Sequence, residues 1–127
     1  MALHTFEDLE VWKRASRLAV DVCAAVQHLK VSGLRNQIQR SSISVPSNIA
    51  EGAERDSAGD FIRFLRISKG SCAELRTRLY ICSRLIQKIG ERSIEGIDGF
   101  VQETREISAM LQGLIQSIQR SRQVSKN

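Results

Sequence analysis

The chain is 127 residues long, enough for one domain with a single core. Its 42% hydrophobic and 26% charged content is that of an ordinary folded protein, and no apolar run approaches the ~18 residues of a membrane span, so no membrane partner is expected. The formal charge is +5, and the three cysteines contain no C-x-x-C pair, which argues against a disulfide framework or a zinc site.

The opening residues Met1 to Glu10 lack a basic segment followed by an apolar one, so no signal peptide is evident and a cytoplasmic location is expected. His4 in this arm and His28 further on look incidental. The first helix is predicted over about 6–31. Thr5 is placed to cap it, with Asp8 three residues on, a capping box with Asp in place of Glu. Trp12, Ala15, Ala19, Val22, Val26 and Leu29 follow at steps of three and four, and Ser32-Gly33 reads as the stop.

The second helix is predicted over about 34–55. Leu34, Ile38, Val45 and Ile49 keep helical spacing straight through Pro46, the only proline. A proline inside a helix removes one N–H and crowds the carbonyl four residues back, here that of Ser42, so a kink is expected. Ser41, Ser42 and Ser44 lie near the freed carbonyl. A polar stripe of Gln37, Ser41, Ser44, Asn48, Glu51 and Arg55 runs beside the apolar one.

Ser57 with Asp60 resembles another capping box and opens a third helix over about 58–89. Phe61, Leu65, Ser68, Cys72, Leu75, Leu79, Cys82, Ile86 and Ile89 form its seam, and Gly90 is a natural stop. Gly70, midway along, costs about 1 kcal/mol relative to alanine, which either close approach of another backbone or simple tolerance would explain. A fourth helix over about 95–121 carries Val101, Thr104, Ser108, Leu111, Ile115 and Ile118, and residues 122–127 are expected to fray. Cys23, Cys72 and Cys82 each sit on an apolar row as small hydrophobes. Four amphipathic helices with short connections predict an all-α, antiparallel up-down-up-down four-helix bundle.

Charge is placed unevenly along this chain. Residues 61–90 carry seven basic groups against Glu74 alone, while the flanking segments are close to neutral. Arg66, Lys69, Arg76 and Arg84 share a broad exposed face, with Arg63 and Lys88 on its flanks. Such a stripe can track a phosphate backbone, in RNA or DNA, with little sequence information. No aromatic interleaving was apparent among these bases, and acids such as Asp21, Glu103 and Glu106 would neutralise them if they lay alongside. Gln37, Asn48, Glu51, Arg55 and Glu74 form a second candidate set, a polar network fixing the register of helices or subunits. A hydrolase using Glu51 and Glu74 is the remaining alternative. It lacks the Glu-x-x-His motifs of a di-metal bundle, and Ser44 and Ser47 have no histidine base nearby. No enzyme activity, metal or cofactor is expected.

The segments Gln37-Ile38, Ser44-Val45-Pro46-Ser47-Asn48-Ile49-Ala50-Glu51-Gly52, Phe61-Ile62-Arg63-Phe64-Leu65 and Gly70-Ser71 with Glu74-Leu75 carry a further signal. Together with Phe6-Glu7-Asp8-Leu9, Val11-Trp12 and Met110-Leu111, they closely resemble the 23S rRNA intervening-sequence protein family. Gln39-Arg40-Ser41-Ser42 departs from the Arg-Arg-Ala-Ala-like residues more usual there. The resemblance implies an all-helical protomer assembling into a homopentamer. It also implies kinship with accessory proteins of diversity-generating retroelements, whose basic barrel binds a reverse transcriptase and nucleic acid. The expectation is therefore a non-enzymatic, homo-oligomeric, nucleic-acid-associated or accessory protein, with a scaffold docking an acidic protein as the alternative.

Overall fold

The computed structural model describes residues 5–126, with side chains through 123; His4 and the first residues of the arm lie outside it. Four helices and no strand occur among the described residues: α1 (Glu10–Ala25), α2 (Ser32–Ala53), α3 (Ala58–Ile89) and α4 (Ile97–Lys126), preceded by a single 3-10 turn at Phe6–Asp8. Each helix packs on its neighbours in sequence and α1 closes against α4, with α2 on α3 the most extensive pairing. The result is a four-helix bundle around one aliphatic core.

Local chemistry accounts for most of the element ends. The Thr5 N–H donates to the Asp8 carboxylate at 3.2 Å, but this box caps the 3-10 turn; the chain then extends at Leu9 and α1 begins at Glu10. Ser57 Oγ accepts the Asp60 N–H at 3.1 Å and opens α3, and Gly90 closes it with φ +70°. Gly96, at φ +82°, precedes α4.

Further boundaries differ from the sequence reading. Helix α1 ends at Ala25, not near residue 31, and Ser32-Gly33 opens α2 instead of closing α1. Tertiary contacts explain the shift. His28 Nε2 lies 3.0 Å from the Arg92 carbonyl and the Lys30 N–H donates to Glu91 at 2.8 Å, so this turn is tied to the α3–α4 connection. Val26 and Leu29 stay buried beyond the helix end, which is why their spacing reads as helix. At the other terminus α4 continues to Lys126 instead of fraying at 122; Asn127 is not described.

The core follows the predicted seams with local exchanges. Val22, Val26, Ile38, Val45, Ile49, Leu65, Cys72, Leu75, Leu79, Cys82, Leu111 and Ile115 are buried. Ile107 is buried where Ser108 was expected, and Ile89 is exposed. Trp12 is half-buried, its ring edge-on to Phe6 at 5.2 Å between centroids.

Pro46 is buried inside α2, whose assignment is unbroken across it. The neighbouring hydroxyls do not turn to the Ser42 carbonyl. Ser41 Oγ donates to the carbonyls of Gln37 and Ile38, and Ser42 Oγ to that of Gln39. Small residues instead bring α2 and α3 together. Ser68 Oγ donates to the Val45 carbonyl at 2.8 Å, and Ser44 and Ser71 share a hydroxyl bond at 2.8 Å. At Gly52 an added Cβ would stand 2.7 Å from Phe64 Cβ and 3.2 Å from the Phe61 carbonyl, so only glycine fits without movement. Gly70 plays no such part: it is exposed, and a Cβ there would meet nothing within 4 Å.

Candidate nucleic-acid interface

Helix α3 sets out its cations in two groups. Arg66, Arg84 and Lys88 are exposed, with no acidic partner among the described residues. Lys69 and Arg76 are half-buried toward α4, where Lys69 Nζ donates to Gln112 Oε1 at 2.7 Å and Arg76 Nη1 reaches Thr104 Oγ1 at 3.4 Å. These bonds hold two cations along the α3–α4 seam without neutralising them. Arg63 lies apart, beside Asp60 at 3.7 Å and over the Phe64 ring at 4.5 Å.

Of the acids expected to neutralise these cations, Glu103 and Glu106 are engaged elsewhere. Arg14 on α1 pairs with Glu103, its Nε donating to Oε2 at 2.9 Å, and lies 3.5 Å from Glu106. Hydrogen bonding to Glu103 holds the Arg14 guanidinium still more firmly protonated than usual. Glu103 and Glu106 are thus drawn to the α1 side of α4. Glu74, the one acid of the basic segment, is held by Arg78 at 3.3 Å, four residues on.

Sequence reasoning missed Tyr80. Its ring is 44% exposed, and its hydroxyl accepts a hydrogen bond from Arg105 Nη2 at 2.9 Å, so α4 adds a cation that the α3 pattern could not supply. The signal was present in the spacing: Arg76, Tyr80 and Arg84 stand at successive four-residue steps, one above another on a helix. An aromatic does interleave the bases.

The second candidate set separates into three within the protomer. Asn48 Nδ2 donates to the Ser44 carbonyl at 2.8 Å and hydroxyl at 2.9 Å, extending the Ser44–Ser71 bond between α2 and α3. Glu51 pairs with Arg55 at 2.7 Å, and Arg55 lies 4.9 Å over Phe64. Gln37 offers its carbonyl to Arg78 at 3.1 Å, next to the Glu74–Arg78 pair. Gln37, Ser44, Ser71, Glu74 and Arg78 line one groove between α2 and α3, with Ile67 at its edge. Glu51 and Glu74 are each exposed and each bound to its own arginine, the arrangement of ion pairs, not of a shared carboxylate site.

The cysteines are set apart from this surface chemistry. Cys72 and Cys82 are buried and Cys23 is half-buried beside Ser42 at 3.6 Å. Burial pushes the Cys72 thiol up to about 11, and burial followed by the Glu91 charge raises that of Cys82. Among the described residues no group of three or more His, Cys, Asp or Glu side chains is placed to hold a metal, and no helix is long and apolar enough to cross a membrane.

Comparison with known families decides the lineage. A family model described as 23S rRNA-intervening sequence protein matches residues 7–113, nearly the whole bundle. The chain belongs to that family. No curated protein gives a significant match. For this member of the 23S rRNA-intervening sequence family, the match spans α1 to α3 and most of α4. It includes the α2 segment around Pro46 and the α3 cations.

Proposed function

We propose that this protein is a non-enzymatic, cytoplasmic, homo-oligomeric bundle that associates with nucleic acid through the α3–α4 face. The observation that carries the reading is charge placement. Among the described residues Arg66 and Arg84 stand without acidic partners, Lys69 and Arg76 are held by neutral groups, Glu74 is taken up by Arg78, and Glu103 and Glu106 share Arg14. Such a face attracts polyanions through counterion release, so affinity falls steeply with salt. Arg63 and Lys88 extend it as flanking contacts.

The finer features of the fold belong to the same reading. Contacts pair Gln37 with Arg78, Ser44 with Ser71 and Gly52 with Phe64, numbers rising on α2 as they fall on α3, which supports an antiparallel up-down-up-down course; the N–H that Pro46 lacks supports a bend in α2 there. Ile43, Ile67, Ile81 and Ile89 leave large apolar surface uncovered, at 51%, 42%, 53% and 52% exposure. A homopentamer, as the family resemblance implies, would cover part of it and repeat the basic face around a ring. Gln37 and Glu74 in the α2–α3 groove, and the Glu51–Arg55 pair apart from it, would then set subunit register, with Asn48 fixing α2 on α3.

Two measurements test this. Light scattering behind a sizing column should give a multiple of the protomer mass at micromolar concentration; a monomer mass sinks the assembly. Binding to RNA and DNA should weaken with added salt and be lost on reversing Arg66, Lys69 and Arg76 to Glu. Affinity untouched by that triple change overturns the interface.

A further inference from the structure

We infer that the α3–α4 face takes an unpaired strand of nucleic acid, with a base stacked on Tyr80 between phosphates held by Arg76 and Arg84. This rests on the basic-face reading and gives it a substrate class. A purely electrostatic surface has no use for an exposed aromatic ring. Tyr80 is the only tyrosine of the chain, and it sits 44% exposed in the middle of the cationic row. Arg76 and Arg84 lie one turn to either side, about 12 Å apart along the axis.

The ring is also oriented. Its hydroxyl accepts from Arg105 Nη2 at 2.9 Å, which pins the phenol from α4 and places a third guanidinium at its rim. Pinning lowers the entropy lost when a base settles on the ring, and the guanidinium adds charge where the next phosphate would pass. A duplex cannot use this device, because its base faces are already stacked and hidden. An unpaired strand can, since every base presents a π-face, and recognition of RNA commonly works through splayed bases on aromatic side chains. The ring gives no hydrogen-bond readout of base identity, so little sequence preference is expected.

The test compares labelled oligouridylate, oligothymidylate and a fully paired RNA of equal length, at low salt, on wild type and three variants. Tyr80→Ala should weaken oligouridylate binding about 5- to 150-fold and leave duplex binding unchanged. Tyr80→Phe, which keeps the ring and loses only the bond to Arg105, should stay within roughly threefold of wild type. Thermal melts of both variants should match wild type, since the side chain is exposed. Loss with Phe as large as with Ala assigns Tyr80 to positioning Arg105 and overturns stacking. So does an equal loss for duplex and single strand; the oligouridylate and oligothymidylate arms distinguish RNA from DNA as the source of the strand. Charge reversal at Arg66, Lys69 and Arg76 separates the two ideas. If it abolishes binding while Tyr80→Ala changes nothing, the basic face stands and the stacked base falls; if wild type binds none of the three ligands, both fall.

Discussion

Two glycines show how far identity at one position can differ from role. Gly52 lies under Phe64 and Phe61, so Gly52→Ala must push a Cβ against Phe64 Cβ and is expected to cost about 1–3 kcal/mol. Gly70 has open space around it, and Gly70→Ala should gain roughly 0.5–1 kcal/mol from helix propensity alone. Urea titrations of the two variants should move in opposite directions. Cys72 makes a prediction in pH. An unfolded thiol ionises near 9, whereas the buried Cys72 holds its proton to about 11. The folded chain therefore binds more protons through that window, and its stability, complete below pH 9, should fall as pH rises through it. The measurement is the difference between wild type and Cys72→Ala, which isolates this one thiol. The variant should be less stable at neutral pH and show the shallower decline above pH 9.

At the scale of helices, α2 and α3 form the tightest pair because small residues let their backbones approach. Ser68 is the clearest of these, buried with its hydroxyl on the Val45 carbonyl beside Pro46. Ser68→Ala should cost about 1 kcal/mol for the lost bond. Ser68→Val loses the same bond and adds bulk that crowds the seam, and should cost more in the same denaturant melts. Most of this pairing was legible in sequence, since the seam spacing of Leu65, Ser68, Cys72, Leu75 and Leu79 depends only on helical geometry. What sequence could not show are features decided across the chain. Ser32-Gly33 looks like a stop, yet the α1–α2 turn ends earlier because His28 and Lys30 are bonded to residues more than sixty positions away. Ile89 keeps the seam spacing but is left uncovered. The basic face was visible as a count of charges. That Arg66 and Arg84 have no acidic partner among the described residues was not, since Glu103 and Glu106 are held by Arg14 reaching across to α4. Tyr80 was passed over because attention to charge sign hides an aromatic standing in the same row.

For the molecule as a whole, the arrangement of charge matters more than its sum. The α3–α4 face collects cations from two helices, while acids are gathered in pairs elsewhere. Salt should therefore slow association with a polyanion more than it speeds release, measurable by stopped-flow mixing over a range of ionic strength. Arg14 has a part in this although it lies on α1. By clasping Glu103 and Glu106 it withdraws two carboxylates from the potential of the basic side. Arg14→Leu would free both, and the association rate at low salt should drop, with the difference vanishing as screening rises. The clasp thus does more than fasten two helices. It gives the bundle a lopsided field, in which a passing polyanion would exert a torque and turn the cationic flank toward itself before any atom touched.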